Sequence, residues 1–236
     1  MTKRNPKQDG SVLYDCVPQA GKCPRGCNQC FFNRPGAFYT ETPSIPEPAT
    51  LPPGAIVRMN CGHDSNIEKS LVERTALYYE RFFFNTSIPR FDFIGPVVFT
   101  ANPREEEPAW TLPQDSLVPA NLMFVRLRVS GTNLKLIDQA VWEWTLVEVP
   151  VVLTFMAYYS QTPQVDEQEV GLLAGDCYEY RKRILNAYYC PTYKFVEAVM
   201  KRYYDQRLVT TCGGLCKDCR NCETYYIQTR KRMNGT

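Results

Sequence analysis

The chain has 236 residues, 27 Lys and Arg against 25 Asp and Glu, one His and a formal net charge of +2. That balance excludes a nucleic-acid-coating protein or a polybasic membrane binder, while 44% hydrophobic residues suffice to bury a sizeable core. The longest strongly apolar run, VPVVLTFMAYY from Val149, falls short of the roughly 18 residues of a membrane span, and the polar opening MTKRNPKQDG leads into no apolar signal core. We therefore expect a soluble cytoplasmic protein with no membrane partner.

Six apolar, β-branched runs bounded by turn residues predict strands. They are SVLYDC from Ser11, AIVRMN from Ala55, GPVVFTA from Gly95, NLMFVRLRVS from Asn121, VPVVLTFMAYY from Val149 and RLVTTC from Arg207. Between them, NIEKSLVERTALYYERFF from Asn66 repeats apolar residues at helical spacing (Ile67, Leu71, Val72, Ala76, Leu77, Tyr79), with Asp64 or Ser65 as its N-cap. NLKLIDQAVWEWTLVE from Asn133 predicts a second helix. DCYEYRKRILNAYY from Asp176 and PTYKFVEAVMKRYYDQ from Pro191 predict a third, divided near Pro191. The proline-rich stretch from Gly36 to Gly54 predicts an extended loop with a short helix, and PREEEPAWTLPQDSLVP from Pro103 a loop whose REEE run is a solvated turn. TRKRMNGT at the end reads as a solvated terminus. Strand and helix in alternation imply parallel pairing with right-handed crossovers, hence one α/β domain with a small appendage.

Eleven cysteines are many for such a chain, and they cluster: four lie between Cys16 and Cys30 and four between Cys212 and Cys222, with Cys61, Cys177 and Cys190 apart. An odd total at gaps of a few residues points to metal ligation in a reducing compartment rather than to disulfides. CPRGCNQC, in the loop after the first predicted strand, spaces Cys23, Cys27 and Cys30 as C-x3-C-x2-C with no fourth cysteine close by. A structural zinc site closes with four ligands, so three thiolates suggest a centre with an open position.

That motif resembles the signature of the radical S-adenosylmethionine (SAM) superfamily. The resemblance implies a partial (β/α)6 TIM-like barrel over residues 1–211, with a short cysteine-rich extension over residues 212–236. It implies a [4Fe-4S] cluster on Cys23, Cys27 and Cys30, whose open iron chelates SAM; reductive cleavage then gives a 5′-deoxyadenosyl radical that abstracts hydrogen from substrate. An electron donor such as flavodoxin or ferredoxin is implied with it. Gly26 suits a tight turn around the cluster. Family members usually carry an aromatic before the third cysteine, where this chain has Gln29 and then Phe31 and Phe32. Their second strand ends in a Gly-Gly-Glu-like stretch, where this chain has RMNCGHDSN, so Asn60, Gly62 and Asp64 stand as candidate SAM contacts. At the end of the fourth predicted strand, Arg128 and Ser130 stand where the family makes polar contacts to ribose and carboxylate.

The second constellation, CGGLCKDCRNC, spaces Cys212, Cys216, Cys219 and Cys222 as C-x3-C-x2-C-x2-C. It supplies a complete thiolate set, for which a second [4Fe-4S] cluster is the first reading and a structural zinc the alternative. Substitution of one ligand by Cys16, Cys61 or Cys190 would free an iron for substrate. The lone His63 reads as a hydrogen-bonded structural residue, with SAM or substrate contact as its alternative. Cys61 reads as a small buried hydrophobe, or else as a hydrogen donor or ligand. Tyr158, Tyr159 and Ser160 end the fifth predicted strand, where a substrate pocket would lie. Arg126 and Arg128 alternate onto one face of the fourth, which calls for an anion opposite them. The substrate expected by resemblance is a peptide, then a nucleotide or RNA. A non-catalytic interaction or sensor protein holding zinc or iron-sulfur is the rival.

Overall fold

The computed structural model describes residues 5–26, 43–103, 117–155, 157–159, 177–183 and 186–235. Its strands, in chain order, are β1 (Leu13–Cys16), β2 (Ile56–Met59), β3 (Phe82–Thr86), β4 (Val97–Ala101) and β5 (Leu122–Val129), then β6 (Val151–Phe155), β7 (Tyr158–Tyr159), β8 (Tyr178–Arg183), β9 (Asn186–Pro191) and β10 (Val209–Thr211). Its α-helices are α1 (Lys69–Ala76), α2 (Leu134–Leu146), α3 (Tyr193–Lys201), α4 (Cys216–Cys219) and α5 (Asn221–Met233). Seven strands form one sheet in the order β1-β2-β3-β4-β5-β6-β10, every neighbouring pair parallel. The strand order follows the chain, so the sheet has no point at which its winding reverses. A small antiparallel sheet, β7-β9-β8, is inserted between β6 and α3.

All six predicted strand runs contain a strand of the main sheet, and the predicted helices at α1, α2 and α3 are present. Thr192 caps α3 by accepting the Phe195 amide, the device that lets a helix start directly after Pro191. Two expectations are corrected. The helix predicted through Phe83 ends at Ala76, and Phe82–Thr86 forms the seventh parallel strand. Phe83 and Phe84 are both fully buried, one in each of the sheet's two apolar clusters. A strand covered on both faces achieves that, whereas an amphipathic helix buries one stripe. Residues 178–183 and 186–191, expected as helix, are the paired strands β8 and β9, where the rings of Tyr180 and Tyr189 meet across the ladder at 5.4 Å. The basic terminus is solvated as expected, with Lys231, Arg232 and Asn234 exposed, and forms the last turns of α5, a helix that packs on the sheet through its other face. It buries Tyr226 and Thr229, and Arg232 donates to the carbonyls of Ala120 and Leu122.

Alternation along each strand divides the core in two. Val57, Met59, Phe84, Val97, Phe99, Val125, Leu127, Val151 and Leu153 pack with Val72 and Ala76 of α1, Ile137, Val141 and Trp144 of α2, and Phe195 and Val199 of α3. Leu13, Ile56, Phe83, Val98, Phe124 and Val152 pack on the opposite face with Tyr225 and Tyr226 of α5 and with Cys212, Cys216 and Cys222. The cysteine-rich extension is thus part of the core. Among the described residues no helix is long and apolar enough to cross a membrane.

Candidate metal centres

Cys23 lies half-buried in the loop that leaves β1 at the C-terminal edge of the parallel sheet; Cys27 and Cys30 lie outside the described residues, as do Gln29, Phe31, Phe32, Ser160 and the REEE run. Gly26 has the left-handed φ of 58° that a tight turn requires. Three hydrogen bonds hold this loop to the loops leaving β2 and β3. Gln19 Nε2 donates to the Ile67 carbonyl at 2.8 Å, Arg25 donates to the Ser87 carbonyl at 3.1 Å, and His63 Nε2 meets the Gly21 carbonyl at 2.8 Å. A carbonyl only accepts, so His63 carries its proton on Nε2. Its observed bond is the structural one.

The proposed SAM contacts divide by how their polar atoms are employed. Asp64 is buried and accepts from the Asn66 and Ser87 amides and from the hydroxyls of Thr86 and Ser87. Its oxygens hold the β2 and β3 loops together. Ser130 Oγ meets Thr132 Oγ1 at 2.9 Å and its amide donates to Asn133 Oδ1, a turn leading into α2. Arg128 alternates with buried Leu127 and Val129, and its carbonyl accepts from Asn133. Gly62, with φ of 108°, shapes the β2 exit. Asn60 stands apart: it is 1% exposed, has φ of 60°, and neither side-chain amide atom has a hydrogen-bond partner among the described residues. Buried amides without partners are rare. Nearby at the same edge, Ser65 Oγ and Asn85 Oδ1 are buried in the same way.

The second centre is built on the opposite plan, from the end of the chain folded back onto the sheet. Cys212 follows β10 and is held by its amide to the Leu153 carbonyl at 2.9 Å. Cys216 and Cys219 are spaced i, i+3 on α4, and Cys222 opens α5 after a left-handed residue, Arg220 (φ 51°), that re-aims the chain. Cys219 Sγ donates to the Thr211 carbonyl at 3.9 Å. The neighbouring Cys219 thiol and the positive charges of Arg126, Lys7 and Arg58 draw the Cys212 thiol below its ordinary value against the effect of its burial, with Cys219 correspondingly raised. Among the described residues no three His, Cys, Asp or Glu form a ready-made site for a single metal ion.

A polar row lines this face one step beyond its apolar row. Two residues after Leu13, Ile56, Phe83, Val98, Phe124 and Val152 come Asp15, Arg58, Asn85, Thr100, Arg126 and Thr154. Arg58 Nε donates to Asp15 Oδ1 at 2.7 Å and its NH2 donates to Cys61 Sγ at 3.1 Å. Burial alone would raise the Asp15 carboxyl, but the Arg58 guanidinium and a hydrogen bond from Gln8 hold it below its ordinary value. Burial pushes the Cys61 thiol up to about 12 against the pull of Arg58. Arg126 lies 3.4 Å from Thr100 Oγ1 and 4.0 Å from Cys222 Sγ. Asp15 and Arg58 were not singled out by sequence reading, although a charge in the short apolar runs LYDC and IVRM was the available signal. Cys16 belongs to the helix-covered face, with the Tyr79 hydroxyl at 3.7 Å, and Cys190 to β9 in the small sheet. Cys61 is the extra cysteine that shares surroundings with the C-terminal four.

Compared with known proteins, the chain matches no protein-family model, no curated protein and no solved structure.

Proposed function

We propose that the protein is a radical SAM enzyme whose parallel sheet is the wall of a partial barrel, with a first [4Fe-4S] cluster on Cys23, Cys27 and Cys30. One observation carries this reading. Cys23, the first cysteine of the C-x3-C-x2-C motif, lies in the loop that leaves the first strand of a sequentially ordered, all-parallel sheet at its C-terminal edge, the edge at which barrel enzymes assemble their sites. The bonds from Gln19, Arg25 and His63 orient that loop against the β2 and β3 exits. Asn60, with its buried amide unengaged, is the SAM contact we favour from the β2 end, ahead of Asp64, whose oxygens already hold two loops together. When bound, the cluster supplies the electron that cleaves SAM to the 5′-deoxyadenosyl radical; the chain's own part is to bind, orient and exclude water.

For the C-terminal four cysteines we propose a second [4Fe-4S] cluster, with zinc as the alternative. All four are half-buried, three of them pack into the sheet's second core, and cationic side chains surround them. A thiolate-rich centre carries net negative charge, so two guanidiniums beside it favour a site that is filled by such a centre. We assign a peptide as substrate class, with nucleotide or RNA as the competitor; the small sheet, whose outer strands are β7 and β8, is the element nearest in kind to a peptide-pairing edge.

The test is anaerobic reconstitution followed by iron and sulfide analysis and an assay for deoxyadenosine from SAM under dithionite, with Cys27→Ala as control. About eight irons per chain, as two such clusters require, and deoxyadenosine lost in the variant support the proposal. Zinc alone, or full iron without cleavage, overturns it in favour of a metal-holding interaction or sensor protein.

A further inference from the structure

The half-buried cation of β5 is the feature that the proposed chemistry does not yet use. Arg126 sits in the polar row of the sheet face that α5 covers, its guanidinium within reach of Thr100 and Cys222 and over the Phe124 ring, 5.5 Å from its centroid. Among the described residues no carboxylate pairs with it, whereas Arg58 on β2 is neutralised by Asp15. A guanidinium partly withdrawn from water without a counter-charge is unfavourable, and a protein keeps one where an anion is bound. The groups that face it are thiols: Cys222 directly, with Cys212 and Cys61 within its electrostatic reach.

We propose that Arg126 is a positioning and tuning residue for the C-terminal centre. It donates an N–H···S hydrogen bond to the Cys222 ligand and places a fixed positive charge beside the cluster. This rests on the reading of those four cysteines as iron-sulfur ligands. One-electron reduction adds negative charge to the centre, and a nearby cation stabilises the more negative form, so Arg126 raises the midpoint potential. The arrangement makes the C-terminal centre an easier electron acceptor than the same four thiolates would be in a neutral setting. Arg58, whose charge is shared between Asp15 and Cys61, contributes less.

The experiment uses the full chain with Cys23, Cys27 and Cys30 all changed to Ala, so that only the C-terminal centre reports. After anaerobic reconstitution, iron and sulfide are measured and the centre is titrated potentiometrically with dithionite, followed by EPR. In this background, Arg126→Gln is expected to make reduction at least tenfold less favourable, a shift of about 59 mV to lower potential for one electron. Arg126→Lys, which keeps the charge, is expected to recover most of that shift. Equal iron content with unchanged potential in Arg126→Gln overturns the proposal and leaves the cluster reading standing. Equal shifts in the Gln and Lys variants overturn it too, since charge is then not the agent. Loss of iron in Arg126→Gln with retention in Arg126→Lys supports it, because the cation is then needed to assemble the centre. Absence of iron from the cysteine-triple parent overturns the cluster reading and this inference with it.

Discussion

The two faces of the parallel sheet are made by the same strands and differ in what they are for. On the face covered by α1, α2 and α3 the buried strand residues are apolar except for Thr86 at the end of β3, as Val57 to Met59 and Val125 to Val129 illustrate. On the face covered by α5 the apolar row ends midway, and Asp15, Arg58, Thr100, Arg126 and Thr154 continue it. The first face is committed to stability. The second divides its length between a core, where Phe124 and Tyr225 meet with ring centroids 5.3 Å apart, and a cationic setting for thiols. A burial pattern that turns polar at one end of several adjacent strands therefore singles out that end of the face as a candidate site.

The sharpest way to break this comparison is at Trp144, fully enclosed on the helical face against Phe99. Trp144→Ala is expected to lose about 3–5 kcal/mol in urea unfolding, as buried aromatic deletions do. An unchanged midpoint would remove that face from its stabilising role. On the other face, Asp15→Asn leaves Arg58 without its anion and is expected to lose about 3 kcal/mol. The pH dependence goes with it. The folded Asp15 carboxyl titrates below its unfolded value of about 3.9, so its contribution is complete above that value and is lost as pH falls through the lower folded value. Stability measured from pH 7 down to acid should decline more gently in the Asn variant; parallel curves would show that the pair contributes nothing of its own.

Smaller changes sharpen the picture. Thr192→Ala removes the cap of α3, an element of the helical face, and is expected to lose about 1 kcal/mol by thermal or urea unfolding. Asn60→Gly should change stability by less than about 0.5 kcal/mol, because glycine tolerates φ of 60° and no described side-chain hydrogen bond is lost. The same variant should bind SAM more weakly in equilibrium dialysis with the reconstituted protein. Unweakened binding would sever Asn60 from the proposed SAM site.

Much of the architecture was legible because it is local. Apolar, β-branched runs bounded by turns mark β1, β2, β4, β5, β6 and β10, and the helical pattern after Pro191 marks α3. The misreadings share a cause. Phe82–Thr86 follows a helical pattern without a turn residue between them, and its three consecutive phenylalanines suit either element until two covering layers are in place. β8 and β9 are decided by each other, through pairs such as Tyr180 with Tyr189. At the end of the chain the basic residues face solvent as they read, and only the fold shows that exposed Arg232 also reaches the carbonyls at the start of β5.

The sequence by itself determined the inventory: an α/β alternation, a three-cysteine loop after the first strand and a four-cysteine run after the last, all set by short-range periodicity and spacing. Tertiary structure alone decided the company these residues keep. Arg126 meets Cys222 across 96 positions of chain, and Arg58 meets Asp15 across 43. Such pairings arise because parallel strands far apart in sequence are brought into one register and a terminal helix is folded over them. No local pattern encodes the identity of a neighbour that only that register supplies.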